Sequence, residues 1–357
     1  INAEIESEAA KIVRSILPDA SITVSHEIGQ MGLLERENAA IMNACLRKLA
    51  NHTVSAFRQS IADMQIDAPL YISQNDGTLM SADFVERYPV LTFASGPTNS
   101  MRGAAFLSGL KDAVVVDIGG TTTDLGVLIN GFPRGTTVAT EIGDVRTNFR
   151  MPDVYSFGLG GGSLVSTAPQ KIGPESVGYE LTTRSLVFGG STLTTTDVAV
   201  AAGMVELGNK SSVENLSPEE VAAVVREIQK MVADGVDRMK TSSDPVPVIL
   251  VGGGSILVHD ELEGASEVIK PDHFAVANAV GAAITQVGGE IDRIFSLANI
   301  SRDEALEQAR EEAISKAIAA GANPESTEIV DIEEIPLAYL PGNATRIRMK
   351  AVGDLVL

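Results

Sequence analysis

The sequence predicts an α/β protein in which a mixed sheet is flanked by helices and the chain is divided into two lobes. Its 357 residues exceed the roughly 250–300 residues at which a single hydrophobic core stops growing, and 44% of them are hydrophobic. The 33 glycines, the aromatic content of 4% and the lack of tryptophan are typical of aliphatic strands joined by tight glycine turns. This composition favours a small-molecule enzyme over a surface that stacks aromatic rings on a ligand.

The net charge and the cysteine content limit the binding partners and the cellular compartment that we expect. The formal net charge of −20 repels polyanions, and no basic patch in the sequence offsets it, so we expect no nucleic acid partner. ATP is still compatible, because backbone amides and Mg²⁺ can hold phosphates without global positive charge. The single cysteine, Cys45, is expected to be a buried apolar residue in a reducing compartment. With no signal-like segment and no apolar run of about 18 residues, we predict a cytoplasmic protein without a membrane partner.

The first third of the chain predicts helices, then short strands, then another helix. Apolar residues recur at helical spacing through residues 1–65. This stripe contains Ile41, Cys45, Leu49, Val54, Phe57 and Ile61. Strands are predicted at residues 69–73 and 90–93, with a turn at residues 75–77 between them. A small-residue helix is predicted at residues 99–110, opened by Ser-Gly-Pro at 95–97.

Residues 113–130 predict a β-hairpin whose tip has the size of a phosphate group. A valine run ends at Asp117, and a second strand begins at Asp124. The turn between them holds Gly119, Gly120, Thr121, Thr122 and Thr123. Glycines let successive N–H groups converge on an anion, and threonine hydroxyls add donors at the rim. Asp117, at the end of its strand, is suitably placed to hold Mg²⁺ or to orient an attacking group. The alternative is an ordinary hairpin with a polar turn, although two turn residues would then be enough.

A second glycine segment follows later in the chain, after a loop-rich stretch to about residue 197 and a helix at residues 217–239. The strand at residues 248–251 ends in Gly252, Gly253, Gly254 and Ser255, which leaves room for a flat ligand against the backbone. Leu257 occupies the third glycine's position of a dinucleotide loop, so that motif is not met. A simple helix entry is the alternative. Helices at residues 274–287 and 301–320 and a terminal pair of strands complete the prediction, and the charged 301–320 helix is predicted to be a solvated face.

Other polar residues are weaker candidates. The four histidines are scattered and are expected to be surface or core residues. Asp153 and Asp197 lie beside glycine or threonine loops. Each is a candidate either to contact a ligand or to stabilise a turn or a helix N-terminus. Arg146 and Arg150 are candidates to contact a carboxylate or phosphate, or to be solvated.

The Asp117 hairpin, followed by a distal strand that ends in three glycines, resembles the actin, sugar-kinase and heat-shock-chaperone ATPase superfamily. The resemblance implies an actin-like, ribonuclease H-like ATPase fold with a nucleotide cleft. The hairpin would touch the phosphates, and Gly252 to Ser255 would lie by adenosine across the cleft. The helices at residues 99–110 and 274–287 would connect the lobes.

Within that superfamily the chain resembles the hydantoinase A/oxoprolinase family over residues 2 to about 287. The segments that carry the resemblance are residues 75–80, 95–97, 117–124, 153–163, 172–176 and 194–197. It implies three segments: the remainder of a first lobe (1–110), a second ATPase lobe (111–295) and a C-terminal helix with strands (296–357). Asp153 and Gly160, Gly161, Gly162 and Ser163 would form a substrate or metal loop. Tyr155 stands where family members often have histidine, so no transition metal is assigned there.

The resemblance implies ATP-dependent opening of a cyclic amide of the hydantoin or 5-oxoproline type, through phosphorylation of its carbonyl oxygen. Asp117 and Asp124 would be catalytic and manage Mg²⁺ and water, and a second subunit of hydantoinase B type is the expected partner. The family's N-terminal lobe, with its own phosphate hairpin, has no counterpart in this sequence, so we expect a fragment that turns over little alone. The alternatives are a small-molecule kinase and a regulatory actin-like ATPase module.

Overall fold

The computed structural model describes residues 3–29, 32–136, 140–167 and 169–356, which form two compact units. Unit 1 consists of Ile1–Ser95, Gly135–Met151 and Thr285–Leu357, and unit 2 of Gly96–Arg134 and Pro152–Ile284. The chain therefore passes from one unit to the other four times. These boundaries differ from the three consecutive segments expected from the sequence.

Two long helices near the N-terminus precede most of the strands. The α-helices are α1 Ala3–Ile16, α2 Leu34–Asp63, α3 Ala82–Arg87, α4 Ser95–Ser108, α5 Leu181–Arg184, α6 Thr195–Ala201, α7 Pro218–Met239, α8 Ala277–Ile284 and α9 Arg302–Ala319. The strands are β1 Tyr71–Ser73, β2 Leu79–Ser81, β3 Ala113–Ile118, β4 Thr123–Ile129, β5 Phe132–Pro133, β6 Thr140–Ile142, β7 Val145–Thr147, β8 Val154–Phe157, β9 Ser163–Thr167, β10 Gln170–Ser176, β11 Val246–Val251, β12 Ala265–Ile269, β13 Val287–Phe295, β14 Glu328–Pro336 and β15 Thr345–Gly353. Short 3₁₀ segments lie at Ser25–Glu27, Pro89–Thr92, Gly178–Glu180, Leu186–Phe188, Lys210–Val213, Gly253–Leu257 and Phe274–Val276.

Unit 1 contains a five-stranded sheet of order β1-β2-β13-β15-β14. β13 pairs antiparallel with β15 along its whole length and parallel with β2 at Val287. Helix α9 covers one face of this sheet. Its fully buried residues recur every fourth position and are Ala305, Ala309, Ala313 and Ala317. Because alanine keeps the helix close to the sheet, a Cβ on Gly289 would lie 2.2 Å from the backbone nitrogen of Ala317. The prediction that α9 is only a solvated face is therefore wrong for its alanine side.

Unit 2 is built on a six-stranded mixed sheet of order β12-β11-β3-β4-β5, in which β8 also pairs with β4. Side chains alternate across β3, as the strand period requires. Val116 and Ile118 pack into the core with α7, whereas Val115 packs with residues of α4 and α8 on the other face. Helix α7 begins where the sequence predicts, because Ser217 caps it by accepting from the amide of Glu220. The predicted mixed sheet flanked by helices is confirmed.

Several predicted elements differ in the structure. Residues 90–93 are not a strand, because the turn residue Asn75 donates hydrogen bonds to the carbonyl groups of this segment. Its amide donates to Leu91 O at 2.7 Å and its side chain to Val90 O at 3.0 Å. β2 is instead the partner of β1. The predicted helix at residues 274–287 ends with α8 at Ile284, and the stretch expected to be loop-rich contains β5 to β10.

The N-terminal helices are present, but their apolar stripe is less buried than expected. α1 and α2 match the helical prediction for residues 1–65. Residues 1–2 and 30–31 of that segment lie outside the described residues, and so do residues 137–139 and 168 of the stretch predicted to be loop-rich. Cys45 is exposed, and so are Ile41, Leu49 and Phe57. The sequence spacing identified the helices correctly because spacing reports periodicity, whereas burial depends on which neighbours cover the stripe.

Candidate functional site

The predicted hairpin tip is present in unit 2 and is open to solvent. β3 and β4 pair in a register that places Asp117 opposite Asp124 and Ile118 opposite Thr123. Gly119 donates its amide to Thr122 O at 2.9 Å, which closes the turn. Gly120, Thr121 and Thr122 are exposed, and in the described parts of the chain nothing accepts a hydrogen bond from their amides.

A second loop, Gly160 to Ser163, packs against the back of the tip. Gly161 donates to Gly119 O at 3.0 Å, and Gly162 donates to Gly120 O at 2.7 Å. In a trans peptide the carbonyl and the next residue's N–H point in opposite directions. These two bonds therefore direct the N–H groups of Gly120 and Thr121 away from the loop. A Cβ on Gly160 would lie only 2.4 Å from the backbone nitrogen of Thr121, so this approach needs glycine.

Helix α6 fixes that loop in turn. Thr196 donates its amide to Gly161 O at 3.0 Å and its hydroxyl to the same oxygen at 2.7 Å. Thr195 donates its hydroxyl to Gly160 O. Ser163 stabilises the loop itself, because its hydroxyl accepts a hydrogen bond from the amide of Gly160 at 2.9 Å. The sequence did not reveal this support by Thr195 and Thr196; the signal that could have revealed it is their position just before Asp197, a candidate helix cap.

Asp197 stabilises the start of α6 and does not face a ligand site. Its carboxylate accepts from the amide and hydroxyl of Thr194 and from the amide of Val187, each at 2.8 Å. It is fully buried. Of the two roles left open by the sequence, the geometry favours the helix cap.

The predicted glycine segment Gly252 to Ser255 lies beside the hairpin. β11 runs parallel to β3, with Val251 opposite Asp117, so both strands end at the same edge of the sheet. A Cβ on Gly252 would lie 2.2 Å from Asp117 Oδ1, and one on Gly254 would lie 2.6 Å from Gly119 O. Gly253 has no atom within 4 Å of its Cβ position among the described residues. The expectation that this segment faces the hairpin across a cleft is therefore corrected to direct adjacency. Ser255 is buried and donates its hydroxyl to Val251 O, which fastens the turn.

Asp117 and Asp124 form a pair of neighbouring carboxylates. Burial raises the pKa of Asp117 above its ordinary value of 3.8, a hydrogen bond with Ser100 opposes this change, and the charge of Asp124 adds to it. Asp124 accepts a hydrogen bond from Ser156 on β8. Among the described residues, no Lys or Arg side chain forms an ion pair with either carboxylate. Two oxygen ligands with uncompensated charge are a donor set that suits Mg²⁺.

Asp153 is not brought to the hairpin tip. Ser156 lies opposite Asp124 and Val154 opposite Gly126, so Asp153 comes just before β8, at the end of this strand that is away from the tip. Its carboxylate pairs with Arg134 at 2.6 Å, and its amide donates to Arg134 O at 2.8 Å. The ring of Tyr155 lies 4.6 Å from the guanidinium of Arg238. In the described ranges, no group of three or more His, Cys, Asp or Glu side chains is arranged to hold a metal ion.

The two arginines considered as ligand contacts both lie in unit 1. Arg146 pairs with Glu35 at 3.7 Å, and Arg150 pairs with Asp76 at 3.4 Å and with Glu290. Both arginines therefore form ion pairs with carboxylates of this chain. Among the described helices, none is both long and apolar enough to cross a membrane.

The mixed sheet flanked by helices, with two glycine segments at one sheet edge, defines an α/β protein with an actin-like fold. Comparison with known proteins narrows this class. Residues 36–209 match the hydantoinase/oxoprolinase family model, which confirms the resemblance seen in the motifs.

Three relatives extend this match. The acetophenone carboxylase gamma subunit of Aromatoleum aromaticum is 27% identical over 192 residues, which are 52% of this chain and 26% of the relative. The nucleotide-free structure of acetone carboxylase has a TM-score of 0.64 at 16% identity, and covers 99% of this chain. The ATP-dependent caprolactamase of Pseudomonas jessenii has a TM-score of 0.72 at 17% identity over 99% of this chain. This chain spans 63% of the length of each of those two structures.

Proposed function

We propose that the protein is the ATP-binding part of an enzyme that opens a cyclic amide, of the hydantoin or 5-oxoproline type, by phosphorylating its carbonyl oxygen. The observation that carries the proposal is the direction of the Gly120 and Thr121 amides, which point to solvent beside Asp117 and Asp124. The family match supports the substrate class, as does the name of the caprolactamase relative, since caprolactam is a cyclic amide.

The hairpin tip supplies donors for a transferring phosphoryl group. Its outward amides are held in place before any ligand arrives, because the Gly160 to Ser163 loop binds the carbonyls on the other side. Preorganised donors of this kind stabilise charge that develops in a transition state. The side chains of Thr121 and Thr122 are exposed at the same rim. Gly253 is exposed at the neighbouring strand end and presents bare backbone there, which suits the flat face of adenosine.

Asp117 and Asp124 are the residues that would hold Mg²⁺, directly or through water. When bound, Mg²⁺ neutralises phosphate oxygens and so assists phosphoryl transfer. The carboxylate of Asp117, at the edge where β3 and β11 end, would also orient the attacking water. Asp124, bonded to Ser156, is fixed beside it.

The proposed reaction activates an amide that is otherwise a poor electrophile. The carbonyl oxygen takes the γ-phosphoryl group of ATP, which leaves ADP. Water then adds to the activated carbon, and the C–N bond breaks, so that the nitrogen leaves as an amine from a lactam or as part of a urea group from hydantoin. A second water hydrolyses the resulting acyl phosphate to carboxylate and phosphate. The relative named as a gamma subunit supports a second subunit, for which a hydantoinase B type protein is our proposal.

The test is a phosphate-release screen of the full-length protein together with its partner subunit. Hydantoin, 5-oxoproline and caprolactam are supplied with ATP and Mg²⁺, and both phosphate and the ring-opened product are measured. We expect phosphate release that requires a cyclic amide and matches the ring-opened product. A stable phosphorylated product would instead identify a small-molecule kinase, and slow release that ignores every substrate would identify a regulatory ATPase module.

A further inference from the structure

Two polar residues on neighbouring helices lead to the carboxylate of Asp117. Ser100 on α4 is 1% exposed, and it forms a hydrogen bond with Asp117. Asn278 on α8 donates its side-chain amide to Ser100 Oγ at 3.1 Å and to Gly96 O at 2.8 Å. A serine hydroxyl has one hydrogen to donate. Because Asn278 donates to Ser100 Oγ, that single hydrogen remains for Asp117.

The crossing of α4 and α8 keeps these two residues in register. A Cβ on Gly103 would lie 1.9 Å from Ala277 O, and one on Gly281 would lie 1.8 Å from Asn99 O. The two helix backbones therefore touch, as small residues permit. Ser100 and Asn278 each lie three positions before the glycine of their own helix, so both project from the same side of the crossing.

We propose that Ser100 and Asn278 form a relay that positions the carboxylate of Asp117 for ATP turnover. Ser100 is a positioning residue, because it acts through Asp117. Asn278 fixes the orientation of the Ser100 hydroxyl, and the glycine crossing fixes Asn278. The inference deepens the proposed function and rests on it. It also separates the two aspartates, since Asp124 is held by a different residue, Ser156 on β8.

The experiment compares S100A, S100C and D117N in the full-length protein with its partner, using ATP and the cyclic amide that gives the most phosphate release. A hydrogen bond to a charged group that aligns a catalytic carboxylate has an effect of about tenfold on rate. We expect S100A to lower kcat by about this factor with a nearly unchanged KM for ATP. S100C keeps the size of serine but is a weak donor, so it should fall between serine and alanine.

The double variant S100A/D117N and the control S108A decide between positioning and packing. If Ser100 acts through Asp117, the double variant is no slower than D117N alone. Ser108 lies on the same helix but donates to Ala104 O at 2.7 Å, so S108A should have normal kcat. Additive losses in the double variant, or a normal kcat in S100A and S100C, would overturn the relay. A normal kcat in D117N would instead overturn the proposed function, and melting temperatures exclude unfolding as the cause.

Discussion

Unit 1 and unit 2 each contain an aspartate whose charged form is disfavoured by burial, yet the pKa values of the two aspartates shift in opposite directions. Burial alone would raise the pKa of Asp76 in unit 1, but Lys350 and Arg150 outweigh this effect and lower it to about 2. Lys350 Nζ lies 3.2 Å and Arg150 Nη1 3.4 Å from Asp76 Oδ2. Burial also raises the pKa of Asp117 in unit 2, where the charge that acts on it is another carboxylate.

The difference separates a structural carboxylate from a candidate functional one. Asp76 has cations, and it also accepts from the amide and hydroxyl of Thr78 at 3.0 and 2.7 Å, so its charge is satisfied within the protein. Asp117 has a hydroxyl partner and a neighbour that repels it. A partly buried carboxylate at the end of a strand, with no cation to compensate its charge, is therefore a candidate for a functional site.

The compensated cluster extends beyond Asp76. Burial lowers the pKa of Arg150 to about 10, while Asp76 opposes that change. Arg150 also pairs with Glu290 on β13, and Arg348 on β15 bonds the same Glu290 at 3.2 Å. Charges therefore join the turn at residues 75–77, the segment at residues 135–151 and the C-terminal strands of unit 1. Removing one charged member upsets the charge balance of its buried neighbours.

The largest expected effect is on turnover in D117N. Asparagine keeps the shape of aspartate but not its charge, so we expect phosphate release to fall by roughly two orders of magnitude. Because the folded state disfavours the Asp117 charge, the melting temperature at neutral pH should stay the same or rise slightly. Steady-state phosphate release and thermal melting are measured on one preparation. A clear fall in melting temperature with normal turnover would show that Asp117 is structural like Asp76.

The second effect is on stability in D76N. Loss of this charge removes the negative charge that balances the buried Lys350 and Arg150, and we expect the free energy of unfolding to fall by about 3 kcal/mol. Turnover per folded molecule should remain near normal. Denaturant unfolding measures the change, and the double variant D76N/K350M is the control, since removing both charges should restore part of the loss. Equal stability of wild type and D76N would contradict the compensated-charge interpretation.

The third and smallest effect is the acid response of unit 1. The folded-state pKa of Asp76, about 2, lies below its ordinary value of 3.8. The stabilisation it gives is therefore fully present above about pH 4 and is lost as pH falls towards 2. Its size is about 2 kcal/mol. Urea unfolding between pH 5 and pH 2 should show this loss in the wild type, and a smaller slope in D76N. Identical slopes would remove Asp76 as its source.

Local features of the site were predictable from the sequence, and its distant contacts were not. A run of valines and a glycine-threonine turn specify the hairpin around Asp117, and Ser217 specifies the start of α7, because the relevant forces act between close neighbours. The loop at residues 160–163 supports the tip across about forty residues of chain, and no spacing rule reveals such a contact. The pairing of Asp76 with Lys350 spans 274 positions. Residues 90–93 show the converse error, since their apolar, strand-like pattern was overridden by one asparagine.

The ion pair between Arg134 and Asp153 has a consequence for how the chain tolerates change. Unit 2 is interrupted between these two residues, and the chain leaves at Arg134 and re-enters at Pro152. Arg134 binds the Asp153 carboxylate at 2.6 Å, and its carbonyl accepts the Asp153 amide at 2.8 Å, so exit and return are fastened together. An excursion with a closed base can lengthen at little entropic cost, because each doubling of a loop adds only about 0.6 kcal/mol. Homologues with insertions or deletions between residues 135 and 151 should therefore retain the hairpin around Asp117, which makes this stretch a natural place for lineages to diversify.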